Sequence, residues 1–171
     1  MYAMSFDTNG NGASSFQYPD GTTLPVGQVA CTFEQYQNPS QWTLVNGSLV
    51  QSLTYAKAAQ SALIKQGFAN ANAANISFTD AAGVTDTYQA DPTSVADLNN
   101  CLSAFRAAAA VPSGFYWRSA TNNNNAFTYA DLVNLAAALA NRGFANFAQL
   151  QTLKANVMAA TTVSDVQAVV W

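Results

Sequence analysis

The end of the chain carries the pattern that most constrains its fold, a row of large apolar residues between positions 132 and 157. This leucine row comprises Leu132, Leu135, Leu139, Phe147, Leu150, Leu153 and Val157. Spacings of three and four residues are typical of one side of an α-helix. Thr128 and Asp131 resemble a capping box at its start, so we expect one long helix through about Ala160, which Gly143 can weaken or kink.

The leucine row is also close to a heptad repeat. Such a row serves either as the core of a single chain or as a helix–helix interface between subunits. The sequence leaves both alternatives open, and we treat the leucine row as a candidate interface with a partner.

Three shorter helices are expected upstream and downstream of this one. From Leu53 the sequence is rich in alanine, which favours helix, and a first helix is expected from about Thr54 to Phe68, with Gly67 as its end signal. A second begins after Asp91, an N-cap followed by proline, and ends at Pro112. Thr162 caps a final short helix.

Short strands and turns dominate the first 52 residues. Asn46-Gly47 joins Trp42–Val45 to Ser48–Gln51, which is typical of a hairpin with a type I′ turn. Ala3–Phe6 and Phe16–Tyr18 flank a polar loop and predict two further strands. Glu34–Tyr36 is expected to form a helical turn.

The second half adds a few strands of its own. Ile76–Phe78 and Val84–Tyr88 predict another hairpin, and Phe115–Arg118 predicts a strand followed by a turn at residues 122–125. The aromatic residues Phe115, Tyr116 and Trp117 alternate faces on that strand, so at most one side can present an exposed platform for a sugar. A role in the core is the favoured interpretation.

Together these elements predict an α+β fold. Short β-hairpins at the N-terminus precede a mainly helical domain that holds a small β-hairpin and one long C-terminal helix. The change of composition places the boundary after residue 52, with a strand-rich head at 1–52 and a helical α+β domain at 53–171.

The composition excludes several classes of function. The chain contains no histidine, which removes His-dependent triads and histidine metal sites. Its net charge of −3 is too weak to steer nucleic acid. No apolar run of about 18 residues is present, so no membrane insertion is expected. We expect no cofactor and no metal.

The carboxylates offer two candidate sites, and a structural role in a turn is favoured for each. Asp7–Gly12 matches the start of an EF-hand loop, but Tyr18 occupies the position of the bidentate glutamate, so a polar turn is expected. Asp80 and Asp86 bracket a hairpin and are the best pair for a glycosidase, although turns place aspartates there routinely. We therefore expect no catalytic residue and no enzyme activity.

Charge and cysteine usage bear on assembly and on redox state. Charged residues make up only 9% of the chain, against about 25% in typical domains. A surface of this kind favours an obligate oligomer or a place in a larger assembly. Cys31 and Cys101 have no partner motif and are expected to be buried thiols; a disulfide between them stays an open alternative.

Short sequence pieces in residues 53–171 occur in the order seen in a known family. They are Ala56-Lys-Ala, Lys65–Phe68, Thr87–Asp91, Asp97–Asn99, Trp117, Thr128–Leu132, Leu153-Lys-Ala, Ala159–Val163 and Val170-Trp171. Taken together they resemble the domain of unknown function at the C-terminal end of many phage tail-fibre and tail proteins. Leu24–Gly27, Thr32–Tyr36 and Val45–Val50 are similar, more weakly, to the small strand-rich heads of such proteins and to segments of tail-fibre assembly proteins.

The resemblance implies a bacteriophage tail structural protein, of the tail fibre or tail tip, that acts in virion assembly and host attachment. It implies other tail proteins as partners, a host surface receptor as a further one, a homotrimer by analogy with tail fibres, and a location in the virion tail after synthesis in the bacterial host cytoplasm. The alternative is a tail-fibre assembly chaperone that is absent from the mature virion. Scarce charge and missing histidine depart from typical members and favour a packed virion component.

Overall fold

Residues 1–171 are all described by the computed structural model, and short strands alternate with helices along them. The strands are β1 (Tyr2–Phe6), β2 (Gly12–Gln17), β3 (Gln28–Cys31), β4 (Trp42–Val45), β5 (Ser48–Gln51), β6 (Ile76–Thr79), β7 (Thr85–Tyr88), β8 (Tyr116–Arg118) and β9 (Asn124–Ala126). The α-helices are α1 (Phe33–Gln37), α2 (Leu53–Ala73), α3 (Pro92–Phe105), α4 (Tyr129–Ala159) and α5 (Val163–Gln167). The predicted α+β class, with hairpins first and one long C-terminal helix, is confirmed.

The chain folds into two compact units. The first contains residues 1–64 and 153–170, and the second contains residues 65–152 with Trp171. The predicted boundary after residue 52 follows composition rather than contacts, and it stays a prediction.

The first unit is built on a three-stranded antiparallel sheet in the order β2–β1–β3. Ala3 and Met4 of the central strand are fully buried. The β4–β5 hairpin has the predicted register, with Val45 opposite Ser48. Asn46 and Gly47 both adopt positive φ, 48° and 79°, as a type I′ turn requires.

Helical segments complete the first unit. The Lys57 ammonium on α2 donates to the carbonyl of Met158, 2.8 Å away, and the Gln60 amide donates to the carbonyl of Val169 at 2.6 Å. Val157 of α4 and Val166 of α5 are fully buried. These contacts connect the start of α2 with the last turns of the chain.

The second unit has its core where two hairpins meet α3 and α4. The central residues are Tyr88, Leu98, Phe127, Leu132 and Leu135, all buried. Asp91 caps α3 as predicted, accepting hydrogen bonds from the backbone N–H groups of Thr93 and Ser94. The pairings β6–β7 and β8–β9 are both antiparallel.

Several predicted boundaries were wrong. Helix α2 continues through Gly67 to Ala73, because this glycine makes room for Trp171 instead of ending the helix. A Cβ atom at Gly67 would lie 2.6 Å from the Cβ of Trp171. Helix α3 ends at Phe105, well before Pro112. The predicted extent of α4 through about Ala160 is confirmed, since the helix runs through Gly143 to Ala159.

Two strands were also missed or misplaced. Strand β3 was missed, although it directly follows a turn in which Gly27 has a φ of 87° and the N–H of Gln28 donates to the carbonyl of Pro25. It pairs with β1, with Tyr2 opposite Cys31. Strand β9 takes in Asn124 and Asn125, which the sequence placed in a turn, because they pair with Arg118 and Trp117.

Candidate interaction surface

The start of α4 is fixed by the buried carboxylate of Asp131. One of its oxygens accepts from the backbone N–H of Thr128 at 2.8 Å and from its hydroxyl at 2.6 Å. The other accepts from the N–H of Ala81 at 2.7 Å. The predicted capping box is therefore present, and it also ties α4 to the β6–β7 turn.

Two opposing influences set the pKa of Asp131. Burial raises it, because a charged carboxylate loses its hydration. Hydrogen bonds from Thr128 and Ala81 favour the charged form, and their combined effect leaves the pKa of Asp131 below its ordinary value. The carboxylate is thus ionised at neutral pH and holds the helix start.

The middle of α4 is held against the end of α2. The Arg142 guanidinium donates to the carbonyls of Asn72 and Ala74, in the region where helix carbonyls lack partners within their own helix. The Asn146 amide donates to the side-chain oxygen of Asn72 at 2.8 Å. Burial lowers the pKa of Arg142. The contacts of Asp131 at the start of α4 and of Arg142 at its middle together fix which side of the helix faces outward.

Most of the leucine row faces inward. Leu132, Leu135, Leu150 and Val157 are buried within the chain, and Leu139 and Leu153 are partly buried. For these residues the structure shows the intrachain alternative. Phe147 is 52% exposed, because the eight residues from Leu139 to Phe147, at about 100° each, turn it some 80° away from the row.

A second row of residues lies on the outward side of α4. This outer face comprises Val133, Ala137, Ala140, Phe144, Phe147 and Gln151, all exposed. Their spacings alternate between four and three residues, which is the heptad pattern of a coiled coil. Phe144 is 76% exposed.

The outer face itself contains no charged residue. The other exposed residues between positions 133 and 151 are asparagine, glutamine and alanine. The charged side chains nearest along the helix are Asp131, which is buried, Arg142, which bonds to α2, and Lys154, which is half-buried and follows the outer face by three residues. An uncharged apolar strip of this kind is typical of an interaction surface.

Sequence reasoning missed Phe144 and assigned Phe147 to the wrong row. The signal was present, since positions 133, 137, 140, 144, 147 and 151 form an unbroken four–three alternation. Alanines at two of these positions obscure the pattern, because only large apolar side chains define the leucine row. The interface role of the leucine row stays a prediction.

The two candidate catalytic carboxylates are both engaged by the fold. Asp80 is buried and accepts from the N–H groups of Ala82 and Val84, each at 2.9 Å. Asp86 accepts from the side-chain amides of Asn125 at 3.0 Å and Asn123 at 3.1 Å. These two bonds hold the pKa of Asp86 well below its usual range.

The remaining polar candidates have local roles. Asp7 accepts from the backbone N–H groups of Asn9 and Asn11, 2.8 Å each, so this loop is the polar turn that was expected. No group of three or more His, Cys, Asp or Glu side chains is arranged to hold a metal ion. Cys31 and Cys101 are free, and burial raises the pKa of both thiols.

Comparison with known families finds a match over most of the chain. The family model of a domain of unknown function, DUF4376, matches residues 51–170. Neither a curated protein nor a solved structure matches the chain. None of the helices combines the length and apolarity that a membrane span requires. The outer face of α4 lies entirely within the matched range.

Proposed function

The chain belongs to the DUF4376 family, and from this premise we propose that it is a structural component of a bacteriophage tail, in the tail fibre or tail tip. It acts in virion assembly and host attachment, with other tail proteins as neighbours and a host surface receptor as a further partner. Two observations support this role: the resemblance of residues 53–171 to phage tail-fibre and tail proteins, and the outer face of α4. The protein is made in the host cytoplasm and resides in the virion tail.

The outer face of α4 is the observation that carries the assembly role. Phe144 and Phe147 stand largely in water, and burying one such side chain contributes about 1.5–3 kcal/mol. With no charge on the strip, burial of this face leaves no charged group without a partner. Self-association is therefore favourable on this side of the helix.

The heptad spacing identifies the kind of partner. A row with a period of 3.5 residues stays in register only with another helix that repeats in the same way. A second copy of the chain supplies that helix, and Ala137 and Ala140 let two backbones approach closely. Copies of α4 side by side give the homo-oligomer, and analogy with tail fibres makes it a trimer.

The test is mass spectrometry of purified mature virions, with the copy number of this polypeptide measured against a major tail protein. We expect the protein in the particle, in a copy number that is a multiple of the number of subunits in the oligomer. Its clean absence, together with abundance in the infected-cell lysate, would contradict a virion role. That result would favour the assembly chaperone instead.

A further inference from the structure

A cleft separate from the outer face lies in the second unit, between β8 and the first turns of α3. Its volume is about 290 Å³, at the small end of ligand clefts, which span roughly 300–1,000 Å³. The lining residues are Gln89, Ser94, Asp97, Tyr116, Trp117 and Arg118. Neither the family match nor the proposed assembly role uses any of them.

The aromatic wall of the cleft comes from β8. Trp117 faces the core of the unit and packs against it, which fixes the strand. Tyr116, its neighbour on the opposite face of the strand, is 53% exposed. A rigid, flat apolar ring is thus held open to solvent at the side of a concave site.

The polar wall offers both donors and acceptors. The carboxylate of Asp97 accepts hydrogen bonds, the guanidinium of Arg118 donates them, and the amide of Gln89 does both. All three side chains are exposed. The ion pair of this chain joins the N-terminal ammonium to Asp20, so Asp97 and Arg118 are not paired with each other.

These features select a class of ligand. An aromatic ring that carries polar groups around it matches a molecule with a flat C–H face and a rim of hydroxyls. A purely apolar ligand would leave the polar groups of Gln89, Asp97 and Arg118 without partners inside the cleft, at a cost. A nucleotide would bring phosphate to Asp97 on a chain whose net charge is −3.

We propose that this cleft binds a neutral saccharide, with one pyranose ring stacked on Tyr116 and its hydroxyls bonded to Asp97, Arg118 and Gln89. The inference deepens the host-attachment part of the proposed function and rests on it for its biological role. A sugar at this site would be part of the host surface receptor.

The experiment is a titration of the full-length chain followed by ¹H–¹⁵N NMR. The probes are methyl α-D-glucopyranoside, methyl β-D-galactopyranoside and N-acetylglucosamine. We expect at least one of them to bind with a Kd on the order of 1 mM and to shift the backbone signals of residues 116–118. If none of the three shifts these signals, the proposal is overturned.

Variants assign the binding to the cleft. Tyr116→Ala is expected to weaken it about tenfold, whereas Tyr116→Phe keeps the stacking ring and stays within about twofold of the wild type. Asp97→Asn is expected to weaken it several-fold without touching the aromatic wall. The matched control is Phe33→Ala in the first unit, since Phe33 is also 53% exposed, and it should leave the Kd unchanged.

Binding that survives both Tyr116→Ala and Asp97→Asn would place the sugar elsewhere and overturn the proposal. This experiment is independent of the virion measurement. If the chain is present in virions but binds none of the sugars, only the proposal of a saccharide site is contradicted. If it binds a sugar but is absent from virions, only the proposed virion role is contradicted.

Discussion

Two glycines in helix interiors are predicted to respond in opposite ways to the same substitution. A Cβ atom added at Gly143 on α4 would meet no atom within 4 Å. At Gly67 on α2, the same atom would lie 2.6 Å from both Cβ and Cγ of Trp171. Both backbones are helical, so alanine can adopt either one without strain in φ.

The expected magnitudes follow from these distances. Alanine in a helix interior is favoured over glycine by roughly 0.5–1 kcal/mol, so Gly143→Ala should stabilise the protein by about that amount. At Gly67 the same gain is opposed by overlap with Trp171, and overpacking of this kind costs roughly 1–3 kcal/mol. Gly67→Ala should therefore destabilise by about 1 kcal/mol.

The assay is urea unfolding of both variants followed by circular dichroism, with the free energy of unfolding taken from linear extrapolation. A third background, Trp171→Gly, removes both the Cβ and the Cγ atom and closes the cycle. Without the Cβ and the indole of residue 171, Gly67→Ala should become stabilising by about 0.5–1 kcal/mol. If Gly67→Ala stabilises the wild-type chain as much as Gly143→Ala does, the close packing of Trp171 on α2 is refuted.

Three further changes test the contacts that position α4 and the turn of the β4–β5 hairpin. Asp131→Ala should cost about 3 kcal/mol in urea unfolding at pH 7, because the N–H groups of Ala81 and Thr128 lose their acceptor. The pKa of Asp131 is lowered by folding. The stability that its charged form contributes is therefore complete above the unfolded pKa of about 4, and it is lost as the pH falls through the folded pKa. A difference in unfolding free energy between wild type and variant that stays constant in acid would contradict this role. Arg142→Met should cost about 1–2 kcal/mol, since it leaves carbonyls at the end of α2 without a donor, and a variant as stable as the wild type would show that those bonds contribute nothing. Gly47→Ala should cost about 1 kcal/mol in the same assay, because alanine is strained at a φ of 79°, and an unchanged midpoint would argue against the type I′ turn.

Sequence reasoning succeeded where a structure is set by a few neighbouring residues. Three short signals determine the path of the backbone through hydrogen bonds or φ angles within three residues. They are Asp91 with the proline after it, the Asn46-Gly47 pair, and Thr162. Such signals need no knowledge of the rest of the fold. They correctly predict the start of α3, the β4–β5 hairpin and the last helix.

It failed where the deciding contact comes from far along the chain. The local pattern predicts a helix end at Gly67, because it contains no sign of the contact with Trp171, more than 100 residues along the chain. Strand β3 exists through its pairing with β1. Asn125 sits in a strand while its amide donates to Asp86 and Tyr88, which no periodicity reveals.

The candidate surface was predicted only in part. A long helix with an interface was expected, but large side chains alone defined the leucine row. Most of that row is consumed by the core. The outer face is identified from side-chain exposure, because Phe144 and Phe147 are exposed whereas Leu150 is buried.

Sedimentation equilibrium of the wild type and of a Phe144→Ser, Phe147→Ser double variant is the most direct test of the outer face as the interface between copies. We predict an oligomer for the wild type at micromolar concentration, a trimer if the tail-fibre analogy holds, and a monomer with an unchanged circular-dichroism spectrum for the double variant. Val26→Ser is the control, since Val26 is fully exposed in the first unit and its loss should leave the oligomer intact. A monomeric wild type, or a double variant that retains the wild-type mass, would contradict the account.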